Sequence, residues 1–213
     1  MGKAYTYFHD ILLPVILQQP SVIYLRSVNQ KRLFARKRMA YIKRAITKYN
    51  QEVEISGKGY TWLIRKATSF DIEIEFDHFI VSSRSCIEHL MQLINHVAAL
   101  NLAPTSNNRA DRVDIDNVVR SLRSSNNVVL KRLGNYLDKE KQKDWYKTLH
   151  KLRIEMYHNK FERFITHGGQ VKIEFPHRQE VNLIQYCSTV STNLERILAY
   201  SMKSLITFRN LAP

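Results

Sequence analysis

The chain has 213 residues, enough for one sizeable core or for a core with an appendage. It is 44% hydrophobic and 24% charged, with few glycines and prolines, which fits a soluble globular protein and excludes a low-complexity chain. The net charge of +14 favours polyanionic partners, either nucleic acid or an acidic membrane surface; the alternative is a charge that serves solubility alone.

In residues 1–27, Pro14 and Pro20 interrupt two apolar patches, Tyr5 to Leu17 and Val22 to Leu25. This reads as a short helix followed by an extended piece suited to docking. The apolar run Ile11 to Leu17 is too short to span a bilayer, carries Pro14, and lacks the layout of a secretory signal. Met1-Gly2 with Thr6 fits the loose myristoylation pattern, which many chains match by accident.

Residues 30–54 predict a basic amphipathic helix, with Leu33 or Phe34, Tyr41 or Ile42, and Ala45 or Ile46 recurring near helical period. Lys31, Arg32, Arg36, Lys37, Arg38, Lys43, Arg44 and Lys48 surround them. Bases interleaved with Tyr41 and Tyr49 suit nucleic acid; a solvated helix face is the competing reading. Gly57 and Gly59 signal a turn, and 60–69 a short connector. Asp71 to Phe76 alternates like a strand but runs into a helical pattern, so one helix is expected over 71–101.

Pro104 to Asn108 reads as a loop. A helix starting near Asp111 or Asp114 has acidic residues in its first turn, where the helix dipole favours them. Ser124 to Asn127 breaks it before a shorter helix, Val128 to Leu137. The next helix, Lys141 to Asn159, carries Trp145, Leu149, Leu152 and Met156 as one apolar stripe. Two alternating runs, 161–165 and 171–175, flank His167-Gly168-Gly169 and predict a β-hairpin. A closing helix is expected over 179–207. The expected architecture is an all-α helical bundle with one small hairpin. Residues 1–69 would form an arm and basic helix, and 70–213 the bundle. Cys86 and Cys187 fall in helical apolar segments and read as buried free thiols in a reducing compartment, with a single disulfide as the alternative.

The chain lacks His-x-x-x-His and C-x-x-C spacings, phosphate-binding glycine loops and a Gly-x-Ser-x-Gly elbow. No metal or cofactor is therefore expected. Arginine and histidine remain. Metal-independent RNA cleavage needs a group to take the proton of the attacking 2′-OH and one to protonate the leaving 5′-oxygen. It also needs donors for the charge that grows on the phosphoryl oxygens. Histidine titrates near neutral pH and serves the first two needs; arginine supplies fixed donors for the third. Two Arg-x(4–6)-His spacings occur, Arg153 to His158 and Arg84 to His89, and about two are expected by chance. On an unbroken helix, residues five apart lie roughly 140° apart around the axis. Arg153 and His158 therefore converge only if the helix ends there or a second subunit completes the site. The competing reading is an ion-paired surface arginine and a helix-terminal histidine favoured by the dipole.

The segment L-R-I-E-M-Y-H-N, Leu152 to Asn159, with the lead-in W-Y-K-T-L, resembles the Arg-x(4–6)-His motif of the HEPN superfamily. F-D-H-F-I-V-S-S-R-S-C-I-E-H-L, Phe76 to Leu90, is similar to an earlier helix of several such families. The hairpin after the motif and the long closing helix also look similar, and the likeness covers about residues 70–207. It implies an all-helical homodimer, a cytoplasmic ribonuclease of toxin or phage-defence type, and regulation by an antitoxin or other partner. It also implies Arg153 and His158 as the catalytic pair at a dimer cleft. Tyr157, Asn159 and Lys160 beside the motif join the bases of the 30–54 helix as RNA-contacting candidates. The sequence departs from the family at Ile154, where many active members carry Asn, Asp or His. It departs again at Lys160, where toxins silenced by a nucleotidyltransferase often carry Tyr. The alternative is a non-catalytic helical module that binds nucleic acid or a protein partner.

Overall fold

A computed structural model describes residues 21–55, 57–103, 112–157, 163–167, 170–174 and 180–211. The expectations for residues 1–20 and for the 104–108 loop lie outside the described residues. The described elements are α1 (Ser21–Ile55), α2 (Gly57–Val97), α3 (Ile115–Ser124), α4 (Val128–Lys141), α5 (Asp144–Tyr157), β1 (Arg163–His167), β2 (Gln170–Glu174), β3 (Glu180–Asn182) and α6 (Leu183–Leu211). The fold is all-α with one small antiparallel sheet, as the sequence pattern implies.

Three local expectations change. Val22 to Leu25, read as extended, belongs to α1, which begins directly after Pro20. Proline is compatible with a helix start and not with a helix interior. Residues 57–69, read as turn and connector, form the start of α2. Gly57 and Gly59 sit in its first turn, where the leading N–H groups lack intrahelical partners in any case. The alternating run from Asp71 resolves into helix because only Ile72 and Phe76, four apart, are buried, while Ile74 is 37% exposed.

Helix ends follow local chemistry. The Asp114 side chain accepts from Asn117 N at 2.8 Å and caps α3. The Asn127 side chain accepts from Val129 N and Leu130 N and caps α4. The Asn182 side chain accepts from Gln185 N at 3.0 Å at the start of α6. Short polar side chains in extended backbone satisfy these otherwise orphaned donors.

The chain divides into two compact units. One comprises residues up to Gln30, Ser85–Tyr146 and Asn193–Pro213. Its core includes Val28, Cys86, Leu90, Ile94, Val118, Leu122, Leu133, Leu198 and Met202, all buried. Here the Cys86 thiol donates to Val28 O at 3.4 Å, fixing α1 against α2. Glu140, 3% exposed, accepts from Lys143 Nζ at 2.6 Å, with Arg196 3.7 Å away.

The other unit comprises Lys31–Arg84 and Lys147–Thr192. Ile42, Ile46, Ile72, Phe76, Phe79, Leu149, Leu152, Tyr186 and Cys187 are buried in it. Phe76 and Tyr186 meet edge to face with centroids 6.2 Å apart. The sheet belongs to this unit, in the order β1-β2-β3. Phe164 pairs with Ile173 and His167 with Gln170, the expected hairpin register. β3 is an additional strand, with Val181 opposite Ile173; three residues before a helix are too few to show a period of two. Both cysteines are buried and free. Burial pushes the Cys187 thiol far above its ordinary value, outweighing a backbone hydrogen bond and the Lys43 charge.

Candidate functional site

The motif helix α5 opens with Asp144 in its first turn, matched to the dipole. Trp145, Leu149 and Leu152 of the predicted stripe are buried and lie on the inner side of this helix; the Met156 side chain lies outside the described residues. Arg153 is half-buried and Ile154 beside it is 46% exposed. α5 ends at Tyr157 and β1 begins at Arg163. His158, Asn159, Lys160 and the Tyr157 side chain lie outside the described residues.

The second Arg/His spacing falls within α2. Arg84 is half-buried there, and His89 Nδ1 donates to Ser85 O at 2.7 Å, one turn back. That bond fixes the His89 ring against its own helix.

The basic helix α1 presents a different kind of site. No Asp or Glu occurs between Ser21 and Gln51. Arg36, Lys37, Lys43 and Arg44 are exposed, whereas Lys31 and Arg38 are half-buried. Arg32 is 3% exposed and Tyr49 6% exposed, both on the inner side of the helix. One guanidinium nitrogen of Arg38 donates to both oxygens of Glu75 on α2, each at 3.0 Å. Around the half-exposed Tyr41 ring stand Lys37 Nζ at 5.6 Å, Arg38 Cζ at 5.7 Å and Arg44 Cζ at 5.8 Å from the centroid. Cations near the ring face are attracted by its quadrupole. The helix concentrates positive charge at its exposed Arg36, Lys37, Lys43 and Arg44.

A cleft of about 800 Å³ lies between α3 and α4 and has no counterpart in the sequence reading. Its charged groups largely meet one another. Lys141 Nζ is 2.7 Å from Asp116 and 3.3 Å from Asp138, and Arg123 is 2.9 Å from Asp138. Burial alone would lower the Lys141 pKa; the two aspartates outweigh it and raise the value. Such cross-helix pairing has no local spacing signature, and the acidic residues register in the sequence only as a helix start.

Among the described residues no cluster of three or more His, Cys, Asp or Glu is placed to hold a metal ion, and no helix is long and apolar enough to cross a membrane. No protein-family model matches the chain, and comparison with curated proteins and with solved structures finds no match.

Proposed function

We propose that the chain is a HEPN-type, metal-independent endoribonuclease that acts as a homodimer, with Arg153 and His158 as its working pair. The 2′-OH attacks the adjacent phosphorus, the P–O5′ bond breaks, and a 2′,3′-cyclic phosphate remains. His158 moves the proton and Arg153 stabilises the phosphoryl oxygens. The observation that carries this reading is the change from helix at Tyr157 to strand at Arg163. On this reading the helix ends at the histidine, the condition under which the two residues escape the separation of an unbroken helix. A cytoplasmic toxin or defence setting, with an antitoxin or other regulator, belongs to the same proposal.

The test is purified protein on total RNA in the presence of a chelator. Cleavage persists, leaves cyclic phosphate ends, and falls by roughly 100-fold or more in Arg153→Ala and in His158→Ala. Parental cutting by both variants overturns the assignment.

A second reading is a non-catalytic helical module that binds RNA through α1. The cluster of Lys37, Arg38 and Arg44 around Tyr41 favours it. Tight RNA binding by the parent with no cleavage under any condition selects this reading.

A further inference from the structure

We propose that the solvent face of α1 is a platform for single-stranded RNA, with Phe34 and Tyr41 as base-stacking surfaces and Lys37 and Arg44 as phosphate contacts. The proposal rests on RNA as the partner but not on the Arg153/His158 chemistry.

Phe34 and Tyr41 are seven residues apart in one continuous helix. Two turns bring them back to within about 20° of the same direction and about 10.5 Å apart along the axis. Lys37 and Arg44 each follow an aromatic by three residues, the next position on that face. The result is an alternation of ring, cation, ring, cation. Phe34 is 48% exposed and its neighbour Leu33 is 46% exposed. Folding leaves this apolar surface in water, in the middle of the most basic stretch of the chain. The side of the helix roughly 100° further round, at Ala35, Ile42, Ile46 and Tyr49, is already buried.

Charge complementarity selects the occupant. With no carboxylate in α1 before Glu52, the acid described against this face is Glu75, which Arg38 already engages. A polyanion gains from the exposed Lys37 and Arg44, and unpaired bases gain from the rings. Aromatic side chains interspersed with cations are how proteins hold single strands with little sequence preference. A duplex keeps its base faces stacked inside the helix and out of reach of the rings. An acidic membrane is the poorer fit. A helix lying on lipid inserts its main apolar face, and here that face is buried in the protein.

The test is anisotropy of a fluorescein-labelled 2′-O-methyl oligouridylate of about twelve nucleotides, long enough for such a groove. The methyl groups block the nucleophile, so binding is read apart from cleavage. Phe34→Ala and Tyr41→Ala each weaken binding about ten-fold, with an unchanged salt dependence. Lys37→Gln and Arg44→Gln each reduce the slope of log K against log salt by about 0.7. Tyr41→Phe binds like the parent, which separates lost stacking from misfolding. A duplex of the same length binds more weakly than the single strand.

Parental affinity in both aromatic variants, equal affinity for duplex, or binding only to vesicles containing anionic lipid each overturns the platform. If RNA is cut but Phe34→Ala and Tyr41→Ala bind normally, the platform falls and the cleavage reading stands. If the variants lose binding but no RNA is ever cut, the cleavage reading falls and the platform stands.

Discussion

Arg38 and Glu75, 37 residues apart in sequence, are joined by two hydrogen bonds of 3.0 Å from a single guanidinium nitrogen. Their side chains are 26% and 21% exposed, so water screens the pair only in part. The pair ties α1 to α2 and removes one cation from the basic face. Glu75→Gln is expected to lower the unfolding free energy by about 0.5–1 kcal/mol in urea titrations. The same variant releases Arg38 toward an anionic ligand, so oligonucleotide affinity stays equal or rises and the salt slope steepens by about 0.7. Weaker binding in Glu75→Gln would mean that the face depends on Glu75 for its shape rather than its charge.

What the sequence made legible and what it hid follow from the range of the interactions. The helices of α3, α4 and α6 were readable because their apolar positions recur at helical period and their ends carry local cues such as Asp114 and Asn127. The start of α2 was not, because Gly57, Gly59 and consecutive apolar residues at Trp62 to Ile64 mimic a turn followed by an irregular segment. Basicity of α1 was plain, but which bases face water was not. Arg32 is buried and Arg38 is engaged by a residue 37 positions away, relationships that period alone does not encode. Phe34 likewise looks like a core position by spacing and is instead half-exposed.

Ala99 holds a left-handed backbone, φ 49°, where α2 ends. Ala99 N donates to His96 O at 3.3 Å and Leu100 N to Asn95 O at 3.0 Å, the paired bonds of a Schellman ending that glycine usually occupies. An alanine methyl at this φ costs roughly 1–2 kcal/mol. Ala99→Gly removes that strain but frees the unfolded chain, which returns about 0.4–1 kcal/mol. The net expectation is a gain of about 0.5–1 kcal/mol, read as a higher urea midpoint with an unchanged slope. A lower midpoint would show that the methyl packs favourably and that strain is not the deciding quantity.

Glu73 and Asp77 lie one turn apart on α2. Burial raises the pKa of Glu73, and the Asp77 charge raises it further; burial also raises Asp77, against the opposing charge of His78. In the window from the ordinary Glu value of 4.5 up to its raised folded value, the native state binds more protons than the unfolded state. Stability therefore falls as pH rises through that window, and the penalty is fully present above it. Glu73→Gln is expected to stabilise the protein by about 0.2–0.5 kcal/mol at pH 7.5, the scale of a like-charge pair at this spacing. Well below pH 4.5 the benefit should vanish, because both states are then protonated. Urea titrations at the two pH values decide it; a benefit that persists in acid would rule out the carboxylate charge as the cause.

Gly134 is buried in α4 where that helix meets α3. A Cβ added there would stand 2.9 Å from Leu122 Cβ, 2.9 Å from Arg123 Cγ and 3.0 Å from Arg123 N. Two of these three atoms are fixed close to the backbone, so the clash is not relieved by swinging one flexible side chain. Glycine to alanine within a helix normally gains about 1 kcal/mol. Here overpacking costs about 1–3 kcal/mol and reverses the sign. The expected net effect of Gly134→Ala is a loss of up to roughly 2 kcal/mol, or as much as a few degrees in Tm for a chain of this size. The displaced Arg123 stem would also loosen the 2.9 Å contact between Arg123 and Asp138. Shortening the stem with Arg123→Ala in the same chain should recover only part of the loss, because Leu122 Cβ and the Arg123 amide remain in the way. Full recovery would place the whole conflict in the arginine side chain, and a Tm above the parent's in the single variant would mean that α3 and α4 separate at almost no cost.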